Sequence, residues 1–246
     1  VCGRYAASRR PEDLVEEFEV EDPPEGPAAE LPPRWNVAPT DPVRVVLQRR
    51  PRGEPEAPAR RQLRVARWGL VPSWAKDPSV GSRMINARVE TVAEKPAFAK
   101  AFASRRCLVP ADGYYEWYKT EDPAGKPRKQ PFFIHSRDGR SLAMAGLYEW
   151  WRDPAGEGED AWLLSCTVIT TTATDDLGHL HDRSPMLVDR ERWGPWLDPG
   201  TGDAEALRGL LVPAAPGLLE AHPVSPAVGN VRNDGPQLVE PLPAPA

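Results

Sequence analysis

Cys2 has more chemistry open to it than any other residue in the chain. The sequence begins Val1-Cys2-Gly3-Arg4-Tyr5, so cutting one bond makes Cys2 terminal. It then carries a free α-amine and a thiol on adjacent carbons, a pair no other position can offer. A 1,2-aminothiol condenses with an aldehyde to an imine, and the thiol closes that imine to a five-membered thiazolidine. The same pair suits an N-terminal nucleophile in which the amine serves as the thiol's base. The plainer alternative is a frayed terminus. Gly3 lets the backbone approach another surface closely. Arg4 is a cation able to lower the thiol's pKa or hold a phosphate.

Three further blocks set polar groups among apolar residues or tight turns. The first runs Trp68-Gly69-Leu70-Val71-Pro72-Ser73-Trp74 and then Ile85-Asn86-Ala87-Arg88-Val89-Glu90-Thr91. Its tryptophans suit either packing or base stacking. In an extended segment Asn86 and Arg88 share one face, and an amide beside a guanidinium suits a sugar–phosphate. The alternative is a capping Asn and a solvated Arg. The second is Asp112-Gly113-Tyr114-Tyr115-Glu116-Trp117-Tyr118. Alternation puts Tyr114, Glu116 and Tyr118 on one face, Tyr115 and Trp117 on the other. A carboxylate between aromatic walls can act as general acid or base; on an edge strand it would merely face solvent. The third is Gly178-His179-Leu180-His181-Asp182-Arg183-Ser184-Pro185. Histidine is the natural proton shuttle near neutral pH. The His-x-His spacing matches no common zinc pattern, so no metal or other cofactor is expected.

The elements that must position these groups read as follows. Residues 8–18 form a short helix capped by Ser8, with Pro11 in its first turn and Leu14 and Phe18 as an apolar pair. Strands at 43–47 and 63–68 flank a Pro/Arg/Glu loop at 49–61, forming a long-tipped hairpin. Residues 21–33 are a second Pro-rich loop. Residues 90–104 are helical in pattern, with Phe98 and Phe102 spaced by four. Residues 107–109, 114–118, 132–135 and 141–148 are strand-like, with turns at Asp112-Gly113 and Asp138-Gly139. The β-branched run 162–172 predicts a central strand. Residues 189–197 and 203–211 are short Asp-capped helices. Residues 223–231 are extended, and 241–246 form a disordered tail after one domain over 1–240. Strands without a βαβ rhythm favour α+β, with curved, mostly antiparallel sheets.

The whole chain narrows the functional classes. A net charge of −5 over 246 residues argues against non-specific coating of nucleic acid, but leaves room for a local basic groove. No run of about 18 apolar residues predicts a membrane span. Arg4, Arg9 and Arg10 with no apolar stretch behind them do not read as a signal peptide. Cys2, Cys107 and Cys166 form no paired spacing. Cys107 and Cys166 sit in strand-like apolar runs as small hydrophobes, which fits a reducing, cytoplasmic setting.

Taken in order, the blocks resemble the SOS-response-associated peptidase (SRAP) family. The matching residues are Cys2-Gly3-Arg4, Asn36-Val37-Ala38-Pro39, Trp68-Gly69-Leu70-Val71-Pro72, Asn86 to Thr91, and Asp112 to Trp117. They continue through His181-Asp182-Arg183-Ser184-Pro185, Pro223-Val224-Ser225 and Val228-Gly229-Asn230-Val231. The resemblance spans nearly the whole chain. It implies a barrel-like β core in a monomer that shields abasic sites in single-stranded DNA, including single-strand/double-strand junctions. It implies a thiazolidine between Cys2 and the ring-opened sugar, with Asn86, Glu116 and His181 as the other catalytic residues. It implies DNA contacts at Arg4, Asn36, Pro39, Trp74, Arg88 and Arg183. A peptidase step removing residue 1 and a lyase side path through the imine also follow.

The chain departs from the family pattern in two places. Val1 stands where members carry Met, as a GTG start codon read literally would give; retained, it blocks the aminothiol. Ser184 stands where a larger residue is common, with no expected effect on chemistry. Two rival functions use the same residues differently. An N-terminal-nucleophile cysteine peptidase or amidohydrolase would turn over amides without DNA. A non-covalent reader of modified DNA would use the Trp and Arg residues and ignore Cys2.

Overall fold

A computed structural model describes residues 2–51, 53–54, 56–121, 125–158, 161–173 and 182–243. In chain order the strands are β1 (Tyr5–Ala7), β2 (Arg34–Val37), β3 (Pro42–Arg49), β4 (Arg60–Trp68), β5 (Asn86–Arg88), β6 (Arg106–Ala111), β7 (Gly113–Glu121), β8 (Pro127–Ser136), β9 (Leu142–Arg152), β10 (Trp162–Thr172), β11 (Arg183–Pro185) and β12 (Leu219–Pro223). The α-helices are α1 (Pro11–Glu17), α2 (Pro27–Glu30), α3 (Ala99–Ser104), α4 (Trp193–Leu197) and α5 (Ala204–Leu210).

Five strands close a mixed barrel in the order β10-β4-β3-β6-β9, with β9 pairing back onto β10. The β10–β4 contact is parallel and the others are antiparallel. β5 and β11 extend the β10 edge. A second, antiparallel sheet runs β12-β8-β7-β1-β2. The fold is therefore a single α+β domain.

Side-chain alternation sorts each barrel strand into two faces. Val43, Val45 and Leu47 of β3, Cys107 and Val109 of β6, Leu142 and Met144 of β9, and Leu164, Cys166 and Val168 of β10 fill the lumen. Tyr5 and Tyr114 from the second sheet, and Cys2 just before β1, pack into the same cluster. The outer face, including Val46, Leu108, Leu147 and Ile169, is covered by α1, α3, α4 and α5. There Phe18 stacks on Trp193 with ring centroids 4.7 Å apart. Buried Arg106 ties two of these helices together, donating to Phe102 O of α3 and Trp196 O of α4.

Gly146 shows how tightly the lumen is filled. A Cβ there would lie 2.8 Å from Cys107 Sγ, 3.0 Å from Val109 Cγ2 and 3.1 Å from the carbonyl oxygen of Thr167. Gly146→Ala is expected to destabilise the fold by about 1–3 kcal/mol through overpacking. A urea midpoint equal to the parent's would show that the lumen can give way.

Several elements differ from the sequence expectation. The 90–104 helix is reduced to α3, preceded by turns, because Pro96 supplies no N–H to an α ladder there. Phe98 and Phe102 remain buried all the same. Ser8 does not cap α1; its N–H donates to Asp112 Oδ2, and Arg10 occupies the N-cap position. Of the two Asp caps, Asp203 accepts from Ala206 N, whereas Asp189 makes no cap bond. Residues 223–231 are not extended: β12 ends at Pro223 and a 3₁₀ turn covers Pro226–Gly229. In the 241–246 segment, Leu242 N–H donates to Pro223 O at 2.8 Å, and 244–246 lie outside the described residues. Among the described residues no helix is long and apolar enough to cross a membrane.

Candidate active site around Cys2

The chain start is held from several sides. Tyr5 pairs with Tyr114 on β7, and Tyr115 N–H donates to Arg4 O at 2.9 Å, carrying the pairing toward Cys2. The Tyr5 ring meets Trp68 edge-on at 5.0 Å. Trp68 in turn donates its indole N–H to Ile85 O at 3.0 Å. Ile85 O also accepts from Val168 N, which sets β5 against β10. Asn86, the first residue of β5, donates its side-chain N–H to Cys2 O at 2.8 Å. Cys2 is thus fully buried, and the frayed-terminus alternative fails.

One buried acceptor beside Cys2 is left for a reactant. Asn86 Oδ1 is buried without a hydrogen-bond partner among the described residues. A buried acceptor left unsatisfied costs about 1–3 kcal/mol, which a donor on a bound molecule would relieve. Glu116 is only 4% exposed, so it does not face solvent from an edge strand. Burial pushes the Cys2 thiol far above its ordinary range, and the charge of nearby Glu116 adds to the shift. The thiol is therefore protonated at neutral pH. Tyr114 joins the Cys2 cluster on one face of β7, while Tyr115 and Trp117 pack on the other, as the alternation predicted.

The remaining expected residues divide. Trp74 is 63% exposed on the turn after Pro72, and Arg88 is exposed beyond Asn86. Pro39 is half-buried beside Thr40, whose N–H donates to Trp68 O. Trp68 itself is fully buried, so of the two tryptophans in this block one packs and one is presented. Gly69 makes the turn between them possible: its φ is +133°, and a Cβ would lie 2.5 Å from Gly81 O.

Arg4, Asn36 and Arg183, expected to touch DNA, each have hydrogen-bond partners within the protein, and only Asn36 is fully buried. Arg4 Nη1 donates to Asn36 Oδ1 and to Val228 O, both at 2.9 Å. Asn36 is fully buried and donates to the carbonyls of Val228, Asn230 and Asn233. These bonds tie the 228–233 segment to β2 and to the residues before β1. Arg183 grips both carboxylate oxygens of Glu90 and donates to Thr170 O at 2.7 Å. The guanidinium's bond to Glu90 holds that carboxyl below its usual range. Sequence reasoning missed the Glu90–Arg183 pair, although both residues stand in the motif blocks; the signal was opposite charge in two blocks whose proximity only the fold creates. His179 and His181 lie outside the described residues. Among the described residues no group of three His, Cys, Asp or Glu is placed to hold a metal ion.

The three cysteines are free, buried and in one cluster. Burial raises all three thiols, Cys166 to about 12. Folded pKa values above the ordinary thiol value stabilise the fold below that value, and the contribution is lost as pH rises through the folded values. The midpoint of thermal unfolding is expected to fall between about pH 9 and pH 12. A flat profile there would show that the thiols are open to water.

Fold and site together define a class: an α+β barrel protein with a buried thiol next to the chain start, held by an asparagine amide and faced by a buried carboxylate. The chain belongs to the SOS response associated peptidase (SRAP) family, whose sequence model matches residues 1–231. It is similar to the abasic site processing protein YoqW of Bacillus subtilis, with 37% identity over 98% of this chain and 99% of that one. The abasic site processing protein YedK of Escherichia coli is 34% identical over 98% of this chain and all of its own. The abasic site processing protein HMCES of Xenopus tropicalis is 30% identical over 96% of this chain and 77% of its own. Among solved structures, a protein from Bacteroides thetaiotaomicron shares the fold with a TM-score of 0.77 at 22% identity, over 98% of this chain and all of its own. One from Bordetella bronchiseptica has a TM-score of 0.68 at 26% identity, over 91% of this chain and all of its own.

Proposed function

We propose that this protein processes abasic sites in DNA by forming a thiazolidine between Cys2 and the aldehyde form of the abasic sugar. The observation that carries the reading is the Cys2 site itself: a buried thiol, its carbonyl held by Asn86, with Glu116 close enough to shift its titration. The names of relatives at 30–37% identity support the substrate class.

The chemistry requires the bond after residue 1 to be cut. The freed α-amine, with an ordinary pKa of about 7.7–8.0, is substantially neutral near pH 7.5. It attacks C1′, and the carbinolamine loses water as Glu116 or His181 donates a proton. The thiol sulfur then bonds to the iminium carbon and its proton passes to the carboxylate, so the net change is loss of one water. Because thiol and iminium share one residue, closure benefits from an effective molarity that can reach about 10⁵ M or more. A thiol that is neutral at rest suits this order, since the amine reacts first. Asn86 fixes the Cys2 carbonyl and offers its free oxygen to the amine or a sugar hydroxyl. Trp74 and Arg88 line the DNA path. Elimination from the iminium is the lyase side path.

The test is to mix the protein with single-stranded DNA carrying one abasic site and measure intact mass. The expected species is protein lacking residue 1 plus DNA minus one water. Active protein that still carries Val1 would overturn the mechanism. Turnover of peptides in the absence of DNA would favour an amidohydrolase instead.

A further inference from the structure

The barrel has a second mouth, about 20 Å along β10 from the Asn86 end: six residues separate Trp162 from Val168, the partner of Asn86, at about 3.3 Å each. Its lining follows from strand register. Trp150 pairs with Leu164 and Arg152 with Trp162, so these side chains project from the face on which Leu164 fills the lumen. On the facing strands Arg64 pairs with lumen-filling Val45, and Arg49 with Arg60. Past the last apolar layer, the same alternation therefore delivers four arginines and two tryptophans to one rim.

This rim is open. Trp162 is 50% exposed, and Arg60, Arg64 and Arg152 are exposed. The Arg49 guanidinium lies over Trp150, 5.9 Å from the ring centroid. Among the described residues, Asp22 reaches Arg60 at 3.4 Å, Asp22 and Glu25 line a depression with Arg64, whose guanidinium donates to Gln62 Oε1, and Glu149 is taken by Arg105. Glu54 and Glu56 belong to the loop beyond the strands. In a chain of net charge −5, cations interleaved with flat aromatic faces stand out.

We propose that this rim is a second contact for single-stranded nucleic acid. Bases stack on Trp162 and on the Arg49–Trp150 pair, and phosphates meet Arg64 and Arg152. Stacking accepts any base, and the planar guanidinium serves both ring faces and phosphates. An acidic protein segment would use the charges but give exposed Trp162 nothing to do. The contact needs neither a lesion nor Cys2, so it stands independently of the crosslinking reading.

The experiment uses the Cys2→Ala protein and a labelled, undamaged oligothymidine, followed by anisotropy over a range of salt. Trp162→Ala with Arg152→Ala is expected to weaken binding about tenfold or more and to lower the salt slope by about 1. Trp162→Phe keeps a stacking face and is expected to restore most of the affinity. With Cys2 intact, the double variant is expected to crosslink a short abasic oligonucleotide as the parent does. Unchanged affinity for oligothymidine would overturn the proposal. So would loss of binding to polyglutamate on Arg152→Ala with no effect of Trp162→Ala on oligothymidine, which would mark an acidic protein's docking surface.

Discussion

Cys2→Ala is expected to eliminate the denaturation-resistant DNA adduct, with a yield at least about a hundredfold below the parent's. The size follows from the mechanism: without the thiol the reaction stops at an imine, which water reverses, and the ring-closing step loses its effective molarity of up to about 10⁵ M or more. An imine trapped by borohydride from the same variant would show that the amine still reacts. Non-covalent affinity for single-stranded DNA should persist, because Trp74 and Arg88 are exposed and do not depend on the sulfur. A stable adduct of equal yield from Cys2→Ala would remove the central claim. Cys2→Ser separates packing from chemistry: it keeps the volume, and it should fail as completely, since a hydroxyl is a far weaker nucleophile at neutral pH.

Glu116→Gln is expected to slow adduct formation by about 10²–10⁴, the usual range for loss of a positioned general acid or base. The amide keeps the shape of the carboxylate but can neither donate the proton that expels water nor take the thiol's proton at closure. A second readout moves the other way. The Glu116 charge is one cause, after burial, of the high thiol pKa at Cys2. Removing it lowers that pKa, so Cys2 in the folded variant should be alkylated faster than in the parent at the same pH. Unfolding would also bare the buried thiol, so the two rates are compared only after the variant is shown to keep the parent's thermal midpoint. An unchanged crosslinking rate in a folded Glu116→Gln protein would show that Glu116 takes no part in the chemistry.

Asn86 and Arg183 show two different limits of reading. For Asn86, alternation in a short extended run gave a shared face with Arg88 and left a capping role open; the structure supplies its partner, the Cys2 carbonyl. Arg183 reads equally well as a phosphate ligand, yet its guanidinium is occupied by Glu90, 93 positions away in the chain. Nothing local distinguishes a cation that meets solvent from one that meets a carboxylate brought in by another strand. The same holds for Arg4 and Asn36, whose partners lie at Val228 and beyond.

By itself the sequence determined the α+β class, the central strand 162–172, the two faces of the Tyr114–Tyr118 run and the candidacy of Cys2. These depend on period-two alternation, β-branched content and covalent position, all of which are local. Tertiary structure alone decided that the terminus is buried rather than frayed, that Glu116 faces inward, and that β10 closes a barrel by pairing with β4 in parallel. Burial and charge pairing depend on which distant segments share a volume. The Cys2 thiol is enclosed because β1, β5 and β7 converge on it, which no local pattern announces.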